Sequence, residues 1–288
     1  MKRRARAAGK GDLADFLLRR AAEDIAGRLP GIERQFSRVL NVGAHNGLLT
    51  CAIARSHPAA DVVISMEASA ALLALCPPPK VRADEELLPF RDGAFDLIVS
   101  ALSLQFVNDL PGALVQIRRA LRPDGLFLGA VLGGLTLSEL REAFMQAELE
   151  LDGGASPRIA PMADIRDFGG LLQRAGFALP VADADSVTVT YDSPLALMLD
   201  LRAMGAGNVL TERSKRPLRR ATLYRAVEIY ADHFSAGGGR VKASFEIIHL
   251  AGWSPHESQQ KPLKPGSAAA RLADALGVEE HKLKGPSR

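Results

Sequence analysis

Two glycines with three residues between them, Gly43 and Gly47, interrupt the apolar stretch RVLNVGAHNGLLTCAI (38–53). They follow a predicted buried strand and precede a predicted helix. Glycine lets the backbone turn sharply and lets a ligand approach the main chain. The free N–H groups that begin the helix attract a carboxylate or a phosphate. The stretch therefore predicts a ligand-binding turn, although a plain strand–helix connection has the same pattern.

Acidic residues follow the next two predicted strands. Glu67 comes directly after the second strand, and Asp84 and Glu85 close the third. A carboxylate after the second strand can accept both hydroxyls of a ribose, and an acid one strand further can accept an adenine amino group. Because parallel strands end at one edge of a sheet, we expect Gly43, Glu67, Asp84 and Ser100 to line one crevice. Taken singly, each acid also fits a helix cap or a solvated loop.

Several better-known site motifs are missing from the sequence. The glycine turn is neither GxxxxGK[ST] nor GxGxxG, because His45 takes the middle position. The pair His256–Glu257 is not HExxH, because residue 260 is Gln260. No GxSxG occurs, and the two cysteines form no CxxC pair. We therefore predict no metal site.

The elements that must position these residues alternate between residues 36 and 133. We predict strands at 39–42, 61–66, 80–84, 95–102 and 126–132, and helices at 12–29, 47–57, 69–75 and 110–121. RPDG at 122–125 predicts a turn. Apolar strands alternating with helices are typical of an α/β fold, in which a mostly parallel sheet carries helices on both faces.

The pattern changes after residue 133. We predict helices at 136–151, 162–175, 194–206 and 217–235, and strands at 181–191 and 240–253. The domain organisation that follows has a helical segment at 1–35, a domain at 36–253 with a helical insertion at about 193–236, and a mobile tail at 254–288 with a short helix at 267–276.

Composition limits the function classes. The chain has 288 residues, 47% hydrophobic and 24% charged, which is enough for one substantial core. Its basic runs, MKRRARAAGK (1–10) and RSKRPLRR (213–220), favour solvated faces, with peripheral contact to an anionic membrane as the alternative. The low aromatic content, 5%, argues against single-strand nucleic-acid binding, and we predict no nucleic-acid partner. No apolar run reaches 18 residues, so we predict no transmembrane segment and a cytoplasmic location, or the mitochondrial matrix in a eukaryote.

Three core stretches, together with the glycine turn, resemble a class I S-adenosylmethionine-dependent methyltransferase. They are ADEELLPF (83–90), FDLIVSALSLQFVNDLPGAL (95–114) and LRPDGLFLGAVLGG (121–134). Three further stretches narrow the resemblance to the respiratory complex I assembly factor 5 family and its bacterial homologues. They are GGLTLSELREAF (133–144), GGASPRIAPMADIRDFGGLLQRAGF (153–177) and AGWSPHESQ (251–259).

The resemblance implies a Rossmann-like, seven-stranded sheet whose last strand is antiparallel, and S-adenosyl-L-methionine as cofactor. Family members are described as hydroxylating an arginine of an iron–sulfur subunit of complex I. By position, Gly43 and Gly47 would face the methionine end of the cofactor and Glu67 its ribose. Asp84 and the Glu85 backbone would hold adenine, while residues from Ser100 to Ser103 would lie under the sulfonium.

The sequence departs from the methyltransferase pattern at three positions. Asn41 replaces an acid that helps to bind the cofactor's ammonium group, and His45 replaces a glycine. If the conformation suits glycine only, His45 costs roughly 1–3 kcal/mol. Gln105 replaces a family histidine, and an amide cannot carry protons near neutral pH. Asn41 and His45 remain candidate cofactor-binding residues, and Gln105 is the candidate catalytic residue.

Three functions are therefore compatible with the sequence. The first is an S-adenosylmethionine-dependent enzyme that modifies a protein during complex I assembly. The second is a malonyl-carrier-protein or small-molecule O-methyltransferase, which shares the same core. The third is a non-enzymatic assembly chaperone with a degenerate cofactor site, which the three departures favour.

Overall fold

The computed structural model describes residues 15–260. The basic start of the chain and the helix predicted at 267–276 lie outside the described residues. The strands are β1 (Arg38–Val42), β2 (Val62–Met66), β3 (Lys80–Val81), β4 (Phe95–Ala101), β5 (Leu121–Leu132), β6 (Ala178–Tyr191), β7 (Ser235–Gly237) and β8 (Arg240–Trp253). The helices are α1 (Phe16–Arg28), α2 (Leu48–Ser56), α3 (Ala70–Leu75), α4 (Leu110–Ala120), α5 (Ser138–Asp152), α6 (Ile165–Arg174), α7 (Pro194–Ala203) and α8 (Arg220–His233).

Every described strand except β7 lies along one mixed sheet in the order β3-β2-β1-β4-β5-β8-β6. The first five strands are parallel, and β8 runs antiparallel between β5 and β6. In the register of this sheet, Val42 lies opposite Met66, and Asn41 lies opposite Val99. The loops that follow β1, β2 and β4 therefore leave the sheet at the same edge, as the sequence predicts.

The sheet is buried on both faces because successive residues of its central strands point to opposite sides. Val39 and Leu97 belong to the apolar cluster that also contains α1, α2 and α5. Leu40 and Ile98 belong to the second cluster, which contains α4 and α6. Near-continuous apolar strands are what two covered faces require, and the α/β class predicted from the sequence is confirmed.

The observed strands differ from the predicted ones at three places. β3 keeps two residues of the predicted 80–84, because the chain turns back after it and Asp84 pairs with Leu87 in an isolated bridge. The sheet has an eighth strand, since the three-residue β7 pairs with β8. RPDG lies within β5 instead of forming a free turn. Asp124 has the positive φ of a turn residue (64°), but pairing continues around it.

That pairing also extends the sheet beyond its predicted end. The N–H of Ser254 donates to the carbonyl of Gly125 at 2.8 Å, and the N–H of Asp124 donates to the carbonyl of Ser254 at 3.0 Å. Ser254 is buried, although the sequence predicts that it begins a mobile tail. Residues 15–255 belong to one compact unit. Within residues 15–260 none of the helices combines the length and the apolar character needed to cross a bilayer.

Candidate active site

The turn after β1 adopts the left-handed conformation at every second residue. The φ angles are 66° at Gly43, 56° at His45 and 83° at Gly47. A methyl group placed on Gly43 would lie 2.1 Å from Ser103 Oγ, and one placed on Gly47 would lie 2.8 Å from Pro77 Cδ. Both glycines are therefore required by conformation and by the close approach of neighbouring segments.

His45 adopts the same conformation without being glycine. The left-handed region costs an ordinary residue about 1–2 kcal/mol, although histidine enters it more readily than most. Neighbouring segments hold the backbone of His45 on both sides. Its N–H donates to Glu67 Oε2 at 3.0 Å, and its carbonyl accepts from Cys76 Sγ at 3.3 Å. The turn thus keeps its shape although the middle position carries a side chain.

Glu67 is fixed at the crevice edge by backbone groups. Its side chain is buried, and its Oε1 accepts a hydrogen bond from the N–H of Ser69 at 2.8 Å. Ser69 in turn caps α3 through the N–H of Leu72. Burial, and to a lesser extent the charge of Glu67, raises the pKa of the nearby Cys76 thiol to about 11. Cys76 is therefore a neutral packing residue, without the reactivity of a thiolate.

A cavity of about 530 Å³ opens beside Glu67 at the carboxyl edge of the sheet. Four carboxylate side chains line it, along with one arginine. The carboxylates are Glu67, Asp84, Glu85 and Glu86, and the arginine is Arg213. The other lining residues are Leu72, Ser103, Phe106, Val107, Asn108, Gly205, Gly207 and Val209. Both acids predicted to share one crevice, Glu67 and Asp84, therefore do share it, whereas Gly43 and Ser100 are not among its lining residues.

Three acids that follow the third strand are held by hydrogen bonds. Glu85 is buried, and its Oε1 accepts from Ser103 Oγ at 2.6 Å. Glu86 accepts hydrogen bonds from the side-chain amide of Asn108, at 3.0 Å, and from the backbone N–H of Asn108. Asp84 accepts from the N–H of Glu86 at 3.0 Å. These bonds fix the directions of carboxylates that would otherwise be mobile loop side chains.

Three other predicted site residues, Asn41, Ser100 and Gln105, are not among those that line the cavity. Asn41 is completely buried, and its side-chain nitrogen donates to Thr50 Oγ1 at 3.0 Å. At these three positions, four buried polar atoms have no hydrogen-bond partner among residues 15–260. They are Asn41 Oδ1, the hydroxyl of Ser100 and both amide atoms of Gln105. Buried polar atoms are normally satisfied, so these positions have unused capacity for water or a ligand.

The contribution of the helical insertion to this cavity is not predicted by the sequence pattern. Gly205, Gly207, Val209 and Arg213 belong to the segment that follows α7. Arg213 lies in the basic run that the sequence predicts to be a solvated face. The clustered glycines (MGAGNV) are the one local signal for a loop that approaches another segment closely.

Comparison with known proteins identifies the fold. A family model described as a methyltransferase domain matches residues 40–129. The YcgJ protein from Bacillus subtilis superposes with a TM-score of 0.56 at 14% identity, covering 81% of this chain and 99% of that one. A putative methyltransferase from Bacillus halodurans superposes with a TM-score of 0.55 at 17% identity, over 81% and 99% of the two chains. The chain therefore has the Rossmann-like fold of the class I methyltransferases.

Sequence relatives identify the protein family. Arginine-hydroxylase NDUFAF5 from Danio rerio is 40% identical over 268 residues, covering 90% of this chain and 82% of that protein. The Homo sapiens protein of the same name is 39% identical over 264 residues, or 90% and 76% of the two chains. The chain belongs to the arginine-hydroxylase NDUFAF5 family, which confirms the resemblance stated from the sequence. A malonyl-[acyl-carrier protein] O-methyltransferase from Laribacter hongkongensis is a more distant relative, 32% identical over 277 residues (91% and 90%).

Proposed function

We propose that this chain binds S-adenosyl-L-methionine in the acid-lined cavity and modifies an arginine side chain of a protein during the assembly of respiratory complex I. The observation that carries the proposal is the charge of the cavity, which has four carboxylates and one arginine in its lining. A wall of this kind favours cations. Both proposed guests are cationic, since the cofactor carries a sulfonium and an ammonium group and arginine carries a guanidinium.

The residues present fit the cofactor. A volume of about 530 Å³ lies within the usual range for ligand pockets, about 300–1,000 Å³. Two polar side chains that line the cavity, Ser103 and Glu85, lie close to Gly43. Glu67 would accept the ribose hydroxyls, and Asp84 would accept the adenine amino group. When bound, the cofactor would supply an electron-poor sulfonium carbon, and the protein residues would bind and orient it.

The proposed substrate is an iron–sulfur subunit of complex I, as the family resemblance implies. A protein with this role works in the mitochondrial matrix in a eukaryote and in the cytoplasm in a bacterium. The NDUFAF5 relatives named above are mitochondrial. We place any peripheral contact with a membrane at the two basic runs.

One observation favours a second candidate, malonyl-carrier-protein O-methylation. Arg213 lines the same cavity as the acids and would pair with the free carboxylate of a malonyl group. A non-enzymatic chaperone is the third candidate, supported by Asn41, His45 and Gln105 at the positions of an acid, a glycine and a histidine.

Two measurements test the proposal. Calorimetric titration with S-adenosylmethionine is expected to show binding at micromolar levels in the wild type. Binding only after His45→Gly, or in neither protein, would leave the chaperone foremost. Mass spectrometry of an arginine peptide from the iron–sulfur subunit, and of a malonyl carrier protein, then separates the two enzymes. A gain of one oxygen or one methyl on arginine supports the proposal, whereas a gain of one methyl on the malonyl group overturns it.

A further inference from the structure

The methyltransferase pattern has an acid at the end of the first strand, and this chain has none there. Asn41 occupies that position, and its amide nitrogen is committed to Thr50. The side chain of Asn41 is not part of the cavity wall. The position therefore supplies no negative charge to a cation in the cavity.

A different carboxylate reaches the same turn. Glu85 comes from the loop after β3, and its Oε1 would lie 2.9 Å from a methyl group placed on Gly43. Ser103, from the loop after β4, donates to the same oxygen at 2.6 Å. Three loops thus bring one carboxylate against the first glycine of the turn, where the resemblance places the methionine end of the cofactor.

The charge of Glu85 has little compensation within the protein. Glu85 is only 6% exposed. Among residues 15–260 the one donor to its carboxylate is the Ser103 hydroxyl, and no basic nitrogen lies within 4.0 Å of it. By contrast, buried Glu148 is paired with Arg158. A buried carboxylate is costly unless it is paired, so an unpaired one on a cavity wall indicates a cationic guest.

We propose that Glu85 supplies the negative charge that other methyltransferases carry at the end of the first strand, and that it binds the α-ammonium group of S-adenosylmethionine. This inference rests on the proposed function. It assigns a role to the side chain of Glu85, whereas the family resemblance uses only its backbone. Ser103 is then a positioning residue that directs the carboxylate toward the turn.

The test compares two ligands by calorimetry. S-Adenosylmethionine has the ammonium group, and methylthioadenosine has the same nucleoside without the amino-acid part. Glu85→Gln is expected to weaken S-adenosylmethionine binding at least about 10-fold, because a charge-assisted hydrogen bond is lost. Methylthioadenosine binding is expected to change less than about twofold. Glu86→Gln is the control, because it also removes one negative charge from the cavity wall. It is expected to weaken S-adenosylmethionine binding less than Glu85→Gln does, since it changes only the long-range electrostatic attraction.

The outcomes are distinct. If the wild type binds methylthioadenosine but not S-adenosylmethionine, or binds neither, both the proposed function and this inference are wrong. If the wild type binds S-adenosylmethionine and Glu85→Gln binds it equally well or more tightly, Glu85 merely fills the space, and only this inference is overturned. Equal weakening of both ligands also overturns it. If Glu85→Gln does not fold, Ser103→Ala is expected to show the same ligand selectivity with a smaller loss.

Discussion

Glu67 Oε2 and the backbone nitrogen of His45 lie 3.0 Å apart, in a hydrogen bond that joins the end of β2 to the turn after β1. The other oxygen of the carboxylate accepts the N–H of Ser69 at 2.8 Å, so one side chain also holds the start of α3. The acid that would bind the ribose is therefore also the brace of the glycine turn. Its position is fixed before any ligand arrives.

Glu67→Gln is expected to destabilise the fold by about 1–3 kcal/mol. The substitution keeps the shape of the side chain but replaces one carboxylate oxygen with an NH₂ group. One of the two backbone N–H groups that donate to Glu67 then loses its acceptor. Urea denaturation measures the loss. Asp92→Asn, at an exposed ion pair with Arg119, is the control and is expected to cost less than about 1 kcal/mol. Equal losses in the two variants would show that Glu67 does not brace the turn.

Gly43→Ala is expected to cost at least about 3 kcal/mol. The added methyl group overlaps Ser103 Cβ at 2.3 Å, and the overlap adds to the cost of a positive φ. Gly93→Ala is the matched control, because Gly93 has the same φ of 66° and no neighbouring atom within 4 Å. It is expected to cost about 1–2 kcal/mol. If both variants have the same denaturation midpoint, Ser103 does not pack against Gly43 as described.

Arg158→Met is expected to destabilise the protein by about 3 kcal/mol, because it leaves the buried Glu148 without its cation. Ser156 continues to donate to that carboxylate through its N–H and its hydroxyl. The expected loss of unfolding free energy is therefore at the lower end of the range for broken buried ion pairs. Arg119→Met removes one partner of the exposed pair with Asp92 and is expected to change the unfolding free energy by less than about 1 kcal/mol. A loss below about 1 kcal/mol for Arg158→Met would contradict the burial of this pair.

His249 is expected to make stability depend on pH below about 6.5. Burial is the main cause that lowers its pKa, and Arg28 lowers it further, against the opposing effects of Asp183, Asp24 and Asp185. Below pH 6.5 the unfolded chain binds the proton more readily than the folded one, so stability falls as the pH falls. The loss grows by up to about 1.4 kcal/mol per pH unit until the folded pKa is reached.

Urea denaturation between pH 7.5 and 5.5 measures this dependence. The wild type is compared with His249→Gln, which removes the titrating group and leaves the remaining histidines in place. The variant is expected to show the smaller loss over the acid range. Parallel stability curves for the two proteins would mean that His249 does not contribute.

Local pattern was sufficient to predict the elements around the cavity. The apolar alternation of β1 and β4 and the helical spacing of α4 specify a parallel sheet, and parallel strands then bring Glu67 and Asp84 to one edge. Strand ends were harder to predict, because they depend on distant partners. The RPDG segment has the local chemistry of a turn, yet Ser254 pairs with it from the far end of the domain.

The rest of the site depends on contacts that the sequence pattern does not encode. The direction of the Glu85 side chain is set by Ser103 across a gap of 18 residues, and loop side chains have no periodicity from which to read it. Arg213 and its neighbours line the cavity from an insertion more than a hundred residues after Asp84. Whether Asn41, Ser100 and Gln105 contact a cofactor stays a prediction.

The outermost strand of the sheet, β6, is fourteen residues long, and α1 holds two of its aspartates. Arg20 pairs with Asp185 at 2.7 Å, and Arg28 pairs with Asp183 at 2.9 Å. A long free margin of backbone donors and acceptors is a template for unwanted association with a second chain, and charges along it oppose such association. By pairing with these aspartates, α1 holds charged groups along β6, which opposes the pairing of this edge strand with a second chain.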